Sequence, residues 1–145
     1  MSFFSSIDTS SSGLTAERLR MDLISDNIAN AETTRTPSGG PYRRKIPIYR
    51  ELEQNKFQKA LASAKGESSS KGVEIVGIKE DQSDFKRKYD PSHPDSNKDG
   101  YVLLPNVDTV TEMVNMVSAS KAYEANVTAL NSTKSMVMKA LEIGR

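Results

Sequence analysis

Asp95, Asn97 and Asp99 alternate along "DSNKDG", and Gly100 closes the run. Side-chain oxygens at every second position, followed by a glycine turn, form the first half of a loop that holds a hard cation such as calcium. The second half fails. The position that needs a bidentate glutamate carries Asn106, and Pro91 and Pro94 forbid an entering helix. The stretch therefore reads as an Asx turn leading into a strand. His93 is the sole histidine, so neither a metal cluster nor a histidine-based nucleophile pair can be built around it. Cysteine is absent, which removes thiolate chemistry, disulfides and cysteine-ligated zinc. The serines lie in no nucleophile-elbow or phosphate-cradling pattern. No catalytic, cofactor-binding or metal-binding residue is expected, and the chain does not read as an enzyme.

Two further polar motifs invite chemistry. "YRRK", Tyr42 to Lys45, sets three cations beside an aromatic ring. With 20 basic and 19 acidic residues, however, the chain has no net field to gather nucleic acid or an acidic membrane. The cluster reads as a solvated strand or as a contact with an anionic group on another protein. "NVT" at Asn126 and "NST" at Asn131 fit a glycosylation acceptor, but both fall in the middle of a helical pattern, where that modification is not expected. Their amides read as helix-packing contacts.

The elements that must carry these residues form a simple series. The 145 residues fit one domain, and 36% apolar content, no tryptophan and a mean hydropathy of −0.56 leave it only a thin core. No stretch reaches the roughly 18 apolar residues of a membrane span. The first twenty residues lack the basic start and apolar run of a cleavable signal, so the chain is expected in the cytosol or exported by a machine that reads another feature. Ile7, Leu14, Met21 and Ile28 recur every seven residues, with Ile24 and Ala31 beside that line and Ala16, Leu19 and Leu23 broadening it. This pattern predicts a helix from about Ser11 to Ala31, ended by "TPSGGP".

Thr109 and Glu112 have capping-box spacing, with Asp108 as a competing cap, and neither proline nor glycine occurs from Val110 to Ile143. A second, longer helix is therefore predicted, with Gly144 as its stop. Met113, Met116, Ser120, Tyr123, Val127, Leu130, Lys134, Val137 and Leu141 alternate in steps of three and four, the seam of a coiled coil, with Ser120 and Lys134 as polar interruptions that select register.

Between the helices lie a Pro47-limited edge strand near Ile46 and Ile48, a polar insertion at 51–71, and two extended runs, Val73 to Lys79 and Asp84 to Tyr89, expected to pair as a hairpin. "YVLLP" is a last extended piece. The fold class is α+β: long N- and C-terminal helices pack as a coiled-coil-like pair, with a small β-rich middle inserted between them. The expected divisions are 1–36, 37–105 and 106–145. Helices of about 20 and about 35 residues cannot cover each other, so one or two turns of apolar face remain for another chain.

"SDNIANAETT" resembles the N-terminal signature of the flagellar rod, hook and hook–filament junction proteins. "GLTAERLRMDLISDNIAN", "GGPYRRK", "DPSHPDSNKDGYV" and the stretch from "PNVDTVTEMVNM" to the C-terminus extend the resemblance to nearly the whole chain, and narrow it to the proximal-rod members of that axial family. The insertion at 51–71 is the part that varies in such proteins. The resemblance implies a structural subunit without catalysis or cofactor, exported unfolded through the flagellar type III apparatus and built into the periplasmic rod of the basal body. The implied partners are other copies of the chain, other proximal and distal rod proteins, and the adaptor that joins rod to export gate. Nucleic acid and direct membrane insertion are not among them.

In that setting the terminal helices form an inner tube. Subunit packing is expected through Leu14, Met21, Ile24 and Ile28 on the first helix, and through Met113, Met116, Tyr123, Val127, Leu130, Val137 and Leu141 on the second. Asn27, Asn30, Asn126 and Asn131 are expected to hydrogen-bond between helices and to penalise misregistered neighbours, since a buried unpaired amide costs about 1–3 kcal/mol. Gly39 and Gly40 are the expected hinge into the outer unit. The competing reading is a cytosolic coiled-coil adaptor that binds one helical partner.

Overall fold

The computed structural model describes residues 3–52 and 72–143. Most of the insertion and the Gly144 stop lie outside the described residues. In chain order the elements are α1 (Phe3–Ala29), β1 (Lys45–Glu51), β2 (Val73–Glu80), β3 (Lys86–Tyr89), β4 (Tyr101–Leu104) and α2 (Thr109–Ile143). The α+β class, with two long terminal helices around a small β unit, is as the sequence leads one to expect.

Helix α1 begins eight residues before the expected Ser11 and ends two before Ala31. Serine and threonine usually weaken a helix by competing for its backbone. Here that competition is absorbed locally: Thr9 donates to the Ser5 carbonyl at 2.8 Å, Ser12 to that of Thr9 at 2.7 Å, and Thr15 to that of Ser11 at 3.1 Å. Packing along α2 supplies what propensity does not.

Asp108 wins the competition to cap α2. Its side chain accepts from the Thr111 N–H at 2.9 Å and its carbonyl from that of Glu112 at 2.9 Å, while Glu112 turns inward instead of closing the box. The Thr111 backbone bond, the Thr111 side chain and Lys86 hold the Asp108 carboxyl below its ordinary value of 3.8. A lowered folded-state value stabilises above the unfolded one and is lost as pH falls through it. Helicity at 222 nm is therefore expected to decline in acid below about pH 4. Asp108→Asn, which caps without charge, should remove this residue's share of the decline while leaving helicity at pH 7 unchanged.

The β unit corrects the expected hairpin. β2 does not pair with β3; it pairs antiparallel with β1 across the insertion, and β3 pairs antiparallel with β4, so there are two separate two-stranded sheets. The linker between β2 and β3 is held in a different shape. Asp81 N–H donates to the Arg44 carbonyl at 2.8 Å, Asn106 Nδ2 to the Asp81 carbonyl at 3.0 Å, and Ser83 N–H to Asp81 Oδ1 at 3.0 Å. An Asx turn gripped from two sides carries the chain from one sheet to the other and cannot close a hairpin. Pro47 sits opposite Ile78, and Arg50 and Glu74 face each other across the ladder at 2.6 Å.

In the second sheet Val102 points inward and is fully buried with Pro105 and Val107, while Tyr89 and Tyr101 meet edge-to-face on the outer surface. "DSNKDG" forms the Asx turn. Asn97 Oδ1 accepts from the N–H groups of Asp99 and Tyr101 at 3.0 and 2.9 Å, which leads the chain into β4.

Candidate assembly surfaces and the polar node beneath them

α1 and α2 run antiparallel. Asn27 bonds to Glu112, and Gly13 lies against Asn126, so fourteen residues along one helix match fourteen along the other. A Cβ on Gly13 would come within 3.2 Å of the Asn126 amide, which sets how near the backbones approach.

The buried line of α2 is not the aliphatic seam read from spacing. Glu112, Ala119 and Thr133 are its buried residues, and Asn126 stands between the last two, so the line recurs every seven residues. Met116, Tyr123, Leu130 and Val137 flank it and are half-buried. Met113, Ser120, Val127, Lys134 and Leu141 each stand one residue past the line; Ser120 and Val127 are half-buried, and Met113, Lys134 and Leu141 are open to solvent. The reason is distance: helices this close admit small or flat groups at the contact line, and larger aliphatic groups are displaced to the flanks. On α1 the deeply buried residues are Ala16, Leu23, Ile24 and Asn27, with Leu14, Met21 and Ile28 half-buried beside them.

Asn27 is the centre of a polar node. Its Nδ2 donates to the Lys45 carbonyl at 3.0 Å and to Glu112 Oε2 at 3.1 Å. Its Oδ1 accepts from the Tyr42 hydroxyl at 3.0 Å and from the Lys45 N–H at 2.9 Å. Two donors and two acceptors are the full capacity of an amide, and all four are used. The other Glu112 oxygen accepts from Arg44 Nε at 3.0 Å, Arg44 Nη2 at 2.6 Å and Asn115 Nδ2 at 3.1 Å. Burial, then the carboxylates of Asp26, Glu80 and Glu112, push the Tyr42 phenol up to about 12, so it keeps the proton it donates. Among the described residues no buried side-chain polar atom lacks a partner.

The other sequence-selected residues are placed as follows. Asn30 stays within its own turn, donating to the Asp26 carbonyl at 2.9 Å and accepting from Thr33. Asn126 donates to the Ala122 carbonyl at 3.0 Å, and Asn131 faces solvent. Gly39 and Gly40 take φ values of +87° and +76°, which favour glycine, inside a turn where Thr36 N–H donates to the Gly40 carbonyl at 2.9 Å.

The solvated strand or foreign anion expected for Arg44 gives way to anions of the same chain, Glu112 at 2.6 Å and Asp81 at 3.7 Å. Arg43 lies over the Phe85 ring at 4.2 Å. Neither Glu112 nor Ala119 stands out by hydropathy, and the signal that carries them is the seven-residue recurrence of small and polar types.

Among the described residues, α2 carries two exposed apolar surfaces. Val110, Met113, Val114 and Val117 are 57–70% exposed and share one face of α2 by their spacing. Continuing the helix register places the start of α1 opposite Met136, so roughly two turns of α2 extend past it. These turns carry exposed Met136, Met138, Leu141 and Ile143.

Residues 7–35 match the family described as "Flagella basal body rod protein", and residues 98–143 match "Flagellar basal body rod FlgEFG protein C-terminal". These two segments hold most of α1 and all of α2. The chain is 52% identical to the flagellar basal-body rod protein FlgC of Borreliella burgdorferi over 99% of this chain and 98% of the relative. It is 48% identical to FlgC of Bacillus subtilis over the whole of both chains, and 36% identical to FlgC of Salmonella typhimurium over the same extent. The chain belongs to the FlgC family of flagellar basal-body rod proteins.

Proposed function

We propose that this chain, a structural subunit of the bacterial flagellar basal-body rod, polymerises through its terminal helices into a shaft that transmits torque and walls the export channel. Its neighbours are further copies, the other proximal rod proteins, the distal rod protein and the adaptor between rod and export gate. The flagellar type III apparatus delivers it to the periplasm. Its chemistry is packing, with no reaction to catalyse.

The observation that carries this reading is the aliphatic stripe Val110, Met113, Val114 and Val117, turned away from α1. A monomer gains nothing from four exposed aliphatic residues on one helical face, whereas a stack of helices buries them, at about 25 cal/mol per Å² of apolar surface. Torque then passes through many parallel side contacts, and stiffness comes from their number.

Aspartate at half-buried Val127 or Leu130 would damage the intrachain pair as well, so the outward stripe gives the cleaner test. Val114→Asp with Val117→Asp is expected to leave far-UV circular dichroism and thermal midpoint of the purified chain within error. In cells lacking the native subunit, the same variant should fail to build rods or support swimming. Wild-type motility from it would refute packing through this stripe.

A further inference from the structure

Glu112 is the only acidic side chain among the described residues that is nearly fully buried, at 1% exposure. A carboxylate removed from water needs a counter-charge, and removing one partner of such a pair costs far more than the pair's net worth. The two helices supply only neutral groups, the amides of Asn27 and Asn115. The positive charge arrives from outside the pair, on Arg44 at the entry to β1.

Arg44 is held by its backbone as well. Its N–H donates to Asn106 Oδ1 at 2.9 Å and its carbonyl accepts from the Asp81 N–H at 2.8 Å. Asn106 in turn donates to the Asp81 carbonyl at 3.0 Å and to Ser83 Oγ at 2.8 Å. The guanidinium therefore reaches Glu112 only when the lead into β1, the turn at 81–83 and the approach to α2 are assembled around it.

We infer that Arg44 is a coupling residue: it makes close pairing of α1 and α2 conditional on docking of the outer β unit. A chain whose outer unit is undocked leaves the Glu112 carboxylate facing two amides without its cation, and the helix pair opens to let water in. Helix pairing and outer-unit docking are then one cooperative event. This holds whether or not the aliphatic stripe is the face that meets neighbouring subunits, because the node is internal to one chain.

Hydrogen exchange on the full-length chain, read by mass spectrometry, tests the inference. In Arg44→Leu, amides of α1 from Ala16 to Ala29 and of α2 from Val110 to Asn126 should exchange roughly a hundredfold faster or more. Adding Glu112→Gln, which removes the buried charge and keeps an acceptor for Asn27, should restore most of that protection even where the single variant fails to fold. Restoration is what an uncompensated charge predicts and what simple loss of the Arg44 side-chain packing does not. Unchanged protection in Arg44→Leu, a double variant no better than the single one, or wild-type helices that exchange like free peptides would each overturn the coupling.

Discussion

Asn27→Ala is expected to destabilise the isolated chain by about 3–5 kcal/mol, a large share of what a domain of this size holds. The variant takes away one side chain but strands four partners: the Tyr42 hydroxyl, both backbone groups of Lys45 and one Glu112 oxygen. Each buried group left without a partner costs about 1–3 kcal/mol, and water entering the gap recovers part of the sum. Asn27→Asp should be no better, because it keeps the acceptors but turns a carboxylate toward Glu112. Asn30→Ala is the contrast, since its amide serves only its own turn, and should cost about 1 kcal/mol or less. Urea unfolding of the full chain followed at 222 nm measures all three. Equal losses for Asn27→Ala and Asn30→Ala would mean that the node contributes nothing special.

The second large effect is expected at Ala119, which has no solvent exposure at all. It lies midway between the Asn27–Glu112 and Gly13–Asn126 contacts, where the helices are held together from both sides. Ala119→Phe has no space to fill and must push the backbones apart, at about 1–3 kcal/mol for the overpacking itself and more if the node is disturbed. Val114→Leu, on the exposed stripe, should stay within about 0.5 kcal/mol of wild type. Denaturation midpoints of the two variants measure the difference, and equal midpoints would mean that the helices do not meet closely at Ala119.

That contrast shows what the sequence makes legible. The helices announce themselves through caps, through 34 residues free of breakers and through periodicity; α2 is present near its expected bounds, whereas α1 starts eight residues earlier than its apolar repeat suggests. Which face of α2 meets α1 is harder to read, because hydropathy weights large aliphatic groups and a close helix contact selects small ones. The half-step positions Met116, Tyr123, Leu130 and Val137 are half-buried within the chain because they flank both candidate lines. Asn27 is visible as a polar residue on a buried face. Its partners are not, because they lie 15, 18 and 85 residues away and only the fold brings them together. Strand pairing fails for a similar reason: neighbouring extended runs suggest a hairpin, but tertiary hydrogen bonds donated by Arg43 and Asn106 and accepted by the Arg44 carbonyl claim the intervening turn. Arg44 is read as a surface cation for want of any local sign that Glu112 faces inward.

The Leu52 N–H donates to the Gly72 carbonyl at 2.8 Å, so the two mouths of the 53–71 segment stand side by side at the end of the β1–β2 ladder. Whatever the chain writes between them starts and finishes at nearly the same point in space, and doubling its length adds only about 0.6 kcal/mol of closure entropy. That makes the rung a natural doorway for evolutionary tinkering and for the engineer. An epitope or a small reporter domain spliced there leaves the scaffold on either side untouched.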